Sequence, residues 1–158
     1  MSAKYFLRLA AVLGLTASAA FGAANIVIVN VDGPGEGFND PTIVSPVGGN
    51  SGTTVGQQRL IAFQHAAAIW GQRLDSAVEI RVRAAFNPLS CSPTSGVVGS
   101  AGAIVIVRDS PGTEYPATWY HVALANKLAG VDLVPGPAGT SADDIGATFN
   151  SNLGRPAA

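Results

Sequence analysis

The 158-residue chain carries nine basic and ten acidic residues, a formal net charge of −1, and only 12% charged side chains. No basic stripe or cluster interrupts it, which argues against a nucleic-acid partner. One cysteine, Cys91, excludes a disulfide framework closed within the chain.

The first stretch, "MSAKYFLRLAAVLGLTASAAFGAAN", reads as a secretory signal peptide over residues 1–24. Lys4 and Arg8 give a positive start, Leu9 to Ala19 is apolar but short for a bilayer span, and small residues follow at Ala20, Gly22 and Ala24. Its removal takes two of the nine basic residues and none of the ten acids, moving the net charge from −1 to −3. The expected location is therefore secreted or periplasmic, with no membrane attachment after cleavage. No later segment is long and apolar enough to span a bilayer. Residues 25–158 suffice for a modest core.

"NIVIVNV" (25–31) is short, apolar and β-branched, and predicts a strand. The loop from Asp32 to Thr53 is rich in Gly, Pro, Asn and Ser, which forbid regular structure through most of it. "TVGQ" predicts a capping box, with Thr54 as N-cap and Gln57 three residues on. Leu60, Phe63, Ala67, Trp70 and Leu74 then recur at helical spacing up to "LDS". "AVEIRVRAAF" (77–86) alternates, with Val78, Ile80, Val82, Ala84 and Phe86 on one face and Glu79, Arg81 and Arg83 on the other. "GAIVIVRD" (102–109) predicts a third, more fully buried strand. "WYHVALANKLAG" (119–130) predicts a short helix with Gly130 closing it. Ile145 to Asn150 predict a fourth strand. The fold class is α/β in composition with an α+β arrangement: about four strands, one long backing helix and a short second helix.

Few chemical motifs are complete. "GPGEG" (33–37) lacks the G-x-G-x-x-G spacing and the immediate helix of a dinucleotide loop. "GGNSGTT" (48–54) sits at a helix N-terminus, where amides can hold anions, but lacks the P-loop lysine. Asp32, Glu36 and Asp40 are candidate calcium ligands, since calcium takes several oxygens, although their spacing is not that of an EF-hand. The same acids also suit plain turn chemistry. His65 falls away from the apolar helix stripe, and His121 stands alone. With Cys91 they give no three-ligand catalytic zinc set. No G-x-S-x-G elbow is present. Cys91 is a free thiol, a link to another chain, or one half of a bridge to sequence not contained here.

Several phrases taken together carry a resemblance: "DGPGEGFNDPT", "VGGNSGTTVGQQRLIAFQHAAAIWGQRLDS", "SAGAIVIVRD", "TWYHVALANKLAG" and "DDIGATFNSNLG". They resemble the N-terminal half of a family of bacterial secreted zinc metallopeptidase-like proteins, which often carry a protease-associated (PA) domain. The resemblance spans nearly all of residues 25–158. It implies a partial zincin-like fold, a twisted mixed sheet with a backing helix, and a hydrolase-related role. In that family an H-E-x-x-H helix follows and supplies zinc ligands and the general base. No position here matches it, so no zinc ligand and no catalytic residue is carried over, and the expected state is truncated and inactive alone. The resemblance further implies that Leu60, Phe63, Ala67, Trp70 and Leu74 pack the helix on the sheet. It makes the strand of Ile145, Ala147, Phe149 and Asn150 an edge beside the substrate cleft, and places the disulfide partner of Cys91 in following sequence.

Two other readings stay open: a non-catalytic secreted module holding a peptide or protein at an exposed sheet edge, and a small complete enzyme with an unrecognised site. Uncovered apolar surface and open edges predict weak stability.

Overall fold

The computed structural model describes residues 23–153. The leader assignment falls almost wholly outside them. Among the described residues no helix is long and apolar enough to cross a membrane.

The elements in order are β1 (Ile26–Asn30), a 3-10 turn (Gly37–Asn39), α1 (Val55–Gly71), β2 (Ile80–Asn87), β3 (Gly99–Ala103), β4 (Ile106–Arg108), β5 (Trp119–His121), α2 (Val122–Ala129) and β6 (Ile145–Asn150). Four strands form one mixed sheet in the order β1-β2-β6-β3, with β1, β2 and β6 parallel and β3 antiparallel. β4 and β5 form a separate antiparallel pair.

Register explains the burial. Ile28 lies opposite Val82, Ala84 opposite Ala147, and Phe86 opposite Phe149. Period-two alternation puts these residues on one face. Leu60 and Phe63 of α1 cover that face, together with Phe38 from the 3-10 turn. Phe38 meets Phe63 and Phe86 edge-on, at centroid distances of 5.0 and 5.3 Å, a favoured quadrupole geometry. Phe149 meets Phe63 in the same way at 5.1 Å. Arg81 and Arg83 take the opposite face, as the alternation predicts.

The start of α1 departs slightly from the expected capping box. Thr54 Oγ1 accepts from the Gln57 N–H at 3.2 Å, as predicted. The Gln57 side chain returns instead to Thr53, accepting from its N–H at 2.9 Å and its hydroxyl at 3.0 Å. Gly56 is required here because a Cβ would collide with the Phe38 carbonyl. At the other end, the Ala24 N–H donates to Gly71 O at 2.9 Å, pinning the entrance of β1 to the end of the helix.

Four expectations are corrected. The apolar run 102–109 is not one buried strand. The chain leaves the main sheet after Ala103, where the Ile104 N–H bonds Asp144 O, and continues as β4 with Ile106 half exposed. Asp109 then turns the chain at φ 54°. The helix predicted from Trp119 begins only at Val122, because Trp119–His121 pair with β4 as a strand. Aromatic and apolar periodicity over so short a run serves both structures.

The third correction is to the helix stripe. Leu60 and Phe63 pack on the core, but Trp70 is 58% and Leu74 41% exposed. The fourth concerns β6. Ile145, Ala147, Phe149 and Asn150 fall at their predicted bounds, yet β6 is hydrogen-bonded on both sides, by β2 and by β3. It is an interior strand, and its backbone has no free side for a peptide. Among the described residues the sheet's edges are β1 and β3.

Candidate functional site

Three regions concentrate the polar chemistry and the open apolar surface. The first is the turn after β1. Asp32 Oδ2 accepts from the Phe38 N–H at 2.7 Å, and Oδ1 accepts from the Phe86 N–H at 2.9 Å. One carboxylate thus ties the turn to the end of β2. Gly37, at φ 55°, brings its backbone against that carboxylate, and a Cβ there would overlap it. Glu36 Oε1 accepts from Gly33 N–H at 2.9 Å. Asp40 Oδ1 accepts from Thr42 N–H at 3.0 Å, and Oδ2 lies 3.7 Å from Arg59 Nη1. Arg59 also donates to Gly37 O at 2.9 Å and stacks 4.4 Å above the Phe86 ring.

The three candidate calcium ligands therefore each bond different partners, Asp32 reaching β2, Glu36 staying within the turn and Asp40 facing Arg59 of α1. Among the described residues no group of three or more His, Cys, Asp or Glu side chains could hold a metal ion. His65, His121 and Cys91 are each exposed, and Cys91 is a free thiol. The donor set present does not fit a catalytic zinc, which needs three converging protein ligands.

Asn150 closes the end of β6 as a clamp. Its side chain accepts from Leu89 and Asn152 N–H at 3.1 and 2.8 Å and donates to Val97 O at 2.7 Å. It is buried, with its donors and acceptors turned to the loop after β2. Its role in this structure is to hold that loop.

The second region escaped the sequence reading. Asp144 accepts from the Arg81 N–H at 2.8 Å and from Asn126 Nδ2 at 3.0 Å, while Asn126 Oδ1 accepts from Leu133 N–H at 2.9 Å. Arg81 reaches Gly136 O at 2.9 Å and Asp132 at 3.1 Å. Asp143 is fully buried: Oδ2 accepts from the Gly139 N–H, and Oδ1 lies 3.7 Å from the Arg81 guanidinium without a hydrogen bond. Burial pushes the Asp144 carboxyl up from its ordinary value, against the bond from the Arg81 N–H, which lowers it. The cluster pins β2, α2 and the 131–144 segment together. "SADDIG" gave only a polar approach to a strand, and nothing local pointed to an arginine some sixty residues earlier.

The third region is an open apolar trough of about 630 Å³ on the α1 face. Ile26, Ile80 and Ile145, at the starts of the three parallel strands, form its floor. Trp70 and Leu74 form one wall and Leu124 of α2 the other, with Arg73 and Lys127 also among its lining residues. The helix stripe signalled it in part, since its apolar residues continue past the core that Leu60 and Phe63 cover.

These features define a mixed α/β scaffold with one face half covered. No protein-family model, no curated protein and no solved structure matches the chain.

Proposed function

We propose that this chain is the N-terminal scaffold of a secreted zinc metallopeptidase-like protein of zincin-like fold, inactive alone and supplying no zinc ligand. The trough carries the reading. Its floor is three strand isoleucines, and Trp70 of α1, Leu74 just beyond that helix and Leu124 of α2 make its walls predominantly apolar, the surface expected where a further helix belongs. On the resemblance, that helix is the H-E-x-x-H helix of further chain. The edge beside the substrate cleft then passes from β6 to β3, the strand that runs against the other three. Gly99, Ala101 and Ala103 alternate with the residues that bond β6, so their backbone groups face outward for strand addition.

The test reads the coding sequence that follows residue 158 and compares the chain with a version extended by it. The expected extension carries H-E-x-x-H, suppresses binding of an apolar dye to the trough and gives zinc-dependent peptide cleavage. Zinc-dependent cleavage by residues 25–158 alone overturns the reading, as does an extension with no such helix in any frame. The second reading, a non-catalytic peptide-binding module, is favoured by the same open edges. It predicts peptide binding by the chain alone.

A further inference from the structure

We propose that the edge of β1, unpaired among the described residues, is a self-association surface, on which a second copy of this chain pairs its own β1 in antiparallel register about Ile28. The inference stands apart from the peptidase reading. The Ile80 N–H bonds Asn25 O, and the Val31 N–H bonds Ala84 O. Backbone groups therefore alternate, with residues 25, 27, 29 and 31 facing β2 and Ile26, Ile28 and Asn30 facing outward.

That outward set is symmetric about Ile28. A two-fold axis there sets Ile28 opposite its copy and Ile26 opposite Asn30 of its copy, so every outward group finds a partner. On the face away from α1, Val27 meets Val29 of the copy, a β-branched cross-strand pair. The strand "IVIVN" carries no charge, proline or bulge, the devices that normally block edge pairing. No like charges oppose one another across the axis, so the self-pair carries no repulsive element. Beside the edge lies a groove of about 420 Å³, where α1 presents Gln64, Ala68 and Gly71. Ala68 and Gly71 carry little or no side chain, which leaves room for the incoming strand. β3, the other edge, offers Gly99, Ala101 and Ala103 and lacks such a β-branched row.

The experiment is equilibrium sedimentation of the leader-free chain over a concentration series, with the same series for Ile28→Pro. The Ile28 N–H faces away from β2, so proline deletes the pairing donor while sparing the β1–β2 bonds. The expected result is a reversible dimer that the variant weakens roughly tenfold or more, since one bond is lost in each copy. A second arm places Val27→Cys and Val29→Cys together in a Cys91→Ser background. Oxidation is expected to link two copies in the double variant and not in either single one. A chain that stays monomeric throughout overturns the proposal. So does a dimer that Ile28→Pro leaves intact, or cross-linking by a single cysteine variant as efficient as by the pair. Pairing of β1 with a foreign extended peptide in preference to a second copy also counts against it.

Discussion

Asp32 began as a candidate calcium ligand and stands in the structure as an acceptor for two backbone donors, Phe38 N–H and Phe86 N–H. The two roles predict opposite behaviour. In Asp32→Asn one side-chain oxygen still accepts, but the amide NH2 now faces a backbone N–H. A partly buried donor left unsatisfied costs about 1–3 kcal/mol. In Asp32→Ala both donors are orphaned, and the cost is about double. Against a whole-domain stability of about 5–15 kcal/mol these are large losses. At about 3–5 °C of melting temperature per kcal/mol for a domain of this size, the Asn variant should melt roughly 3–15 °C lower. The Ala variant should fall further. The assay is thermal and urea unfolding of the three proteins, each with chelator and with millimolar calcium. On the acceptor reading the order is parent, Asn, Ala, and calcium moves none of them. A bound calcium at a hundred times its Kd would instead stabilise the parent by about 2.7 kcal/mol and lose that effect in both variants. That calcium dependence, or an Asn variant as stable as the parent, would refute the acceptor reading.

Three further outcomes follow from the packing. Phe38→Ala removes a buried ring in edge contact with Phe63 and Phe86 and should cost about 3–5 kcal/mol by urea unfolding. Trp70→Ala, at a residue more than half exposed, should cost about 0.5 kcal/mol or less and reduce apolar dye binding. Asp144 has a carboxyl pKa raised above 3.8 by burial, so the folded state binds its proton more readily than the unfolded state. Its charged form therefore costs stability above the folded pKa, and that cost is relieved as pH falls through the folded pKa toward 3.8. Parent stability should accordingly rise relative to Asp144→Asn on acidification through that window. A difference between the two proteins that does not change with pH contradicts the assignment.

What could be read from the sequence follows the range over which each interaction acts. Strand β2 and the start of α1 were legible because alternation and Thr54 capping are local signals. The bounds of β6 were legible for the same reason, but its position was not. Edge or interior depends on where β3 pairs, and "GSAGA" has almost no side-chain signature of a strand. The split between β3 and β4 hid inside one apolar run, since a bend at Ile104 leaves hydrophobicity unchanged. The Arg81–Asp132–Asp143–Asp144 cluster was illegible because its members converge only through the β2–β6 pairing. Asp32 was legible as an acidic turn residue suited to backbone acceptance or to calcium, but its tie to Phe86 was not, because that partner lies far along the chain.

The two ends of the sheet are stabilised by different means. Where β1, β2 and β6 finish, Phe38 seals the ring cluster, and Asp32 and Asn150 hold the adjoining loops by their side chains. Where the same strands start, Ile26, Ile80 and Ile145 look into the open trough, and among the described residues the aromatic beside it, Trp70, stands at its wall, more than half exposed, instead of sealing it as Phe38 seals the other end. Local opening should then be cheaper at the starts of the strands than at their ends, since opening free energy follows buried apolar contact. Hydrogen exchange should find Ala84 and Ala147 among the slowest amides and the Ile26–Ile80 flank faster. A helix that fills the trough, added by extension of the chain, should slow exchange mainly at that flank, because its contacts fall there. If exchange slowed equally at both ends, the sheet would be opening as one unit, and the trough would not be its weak point.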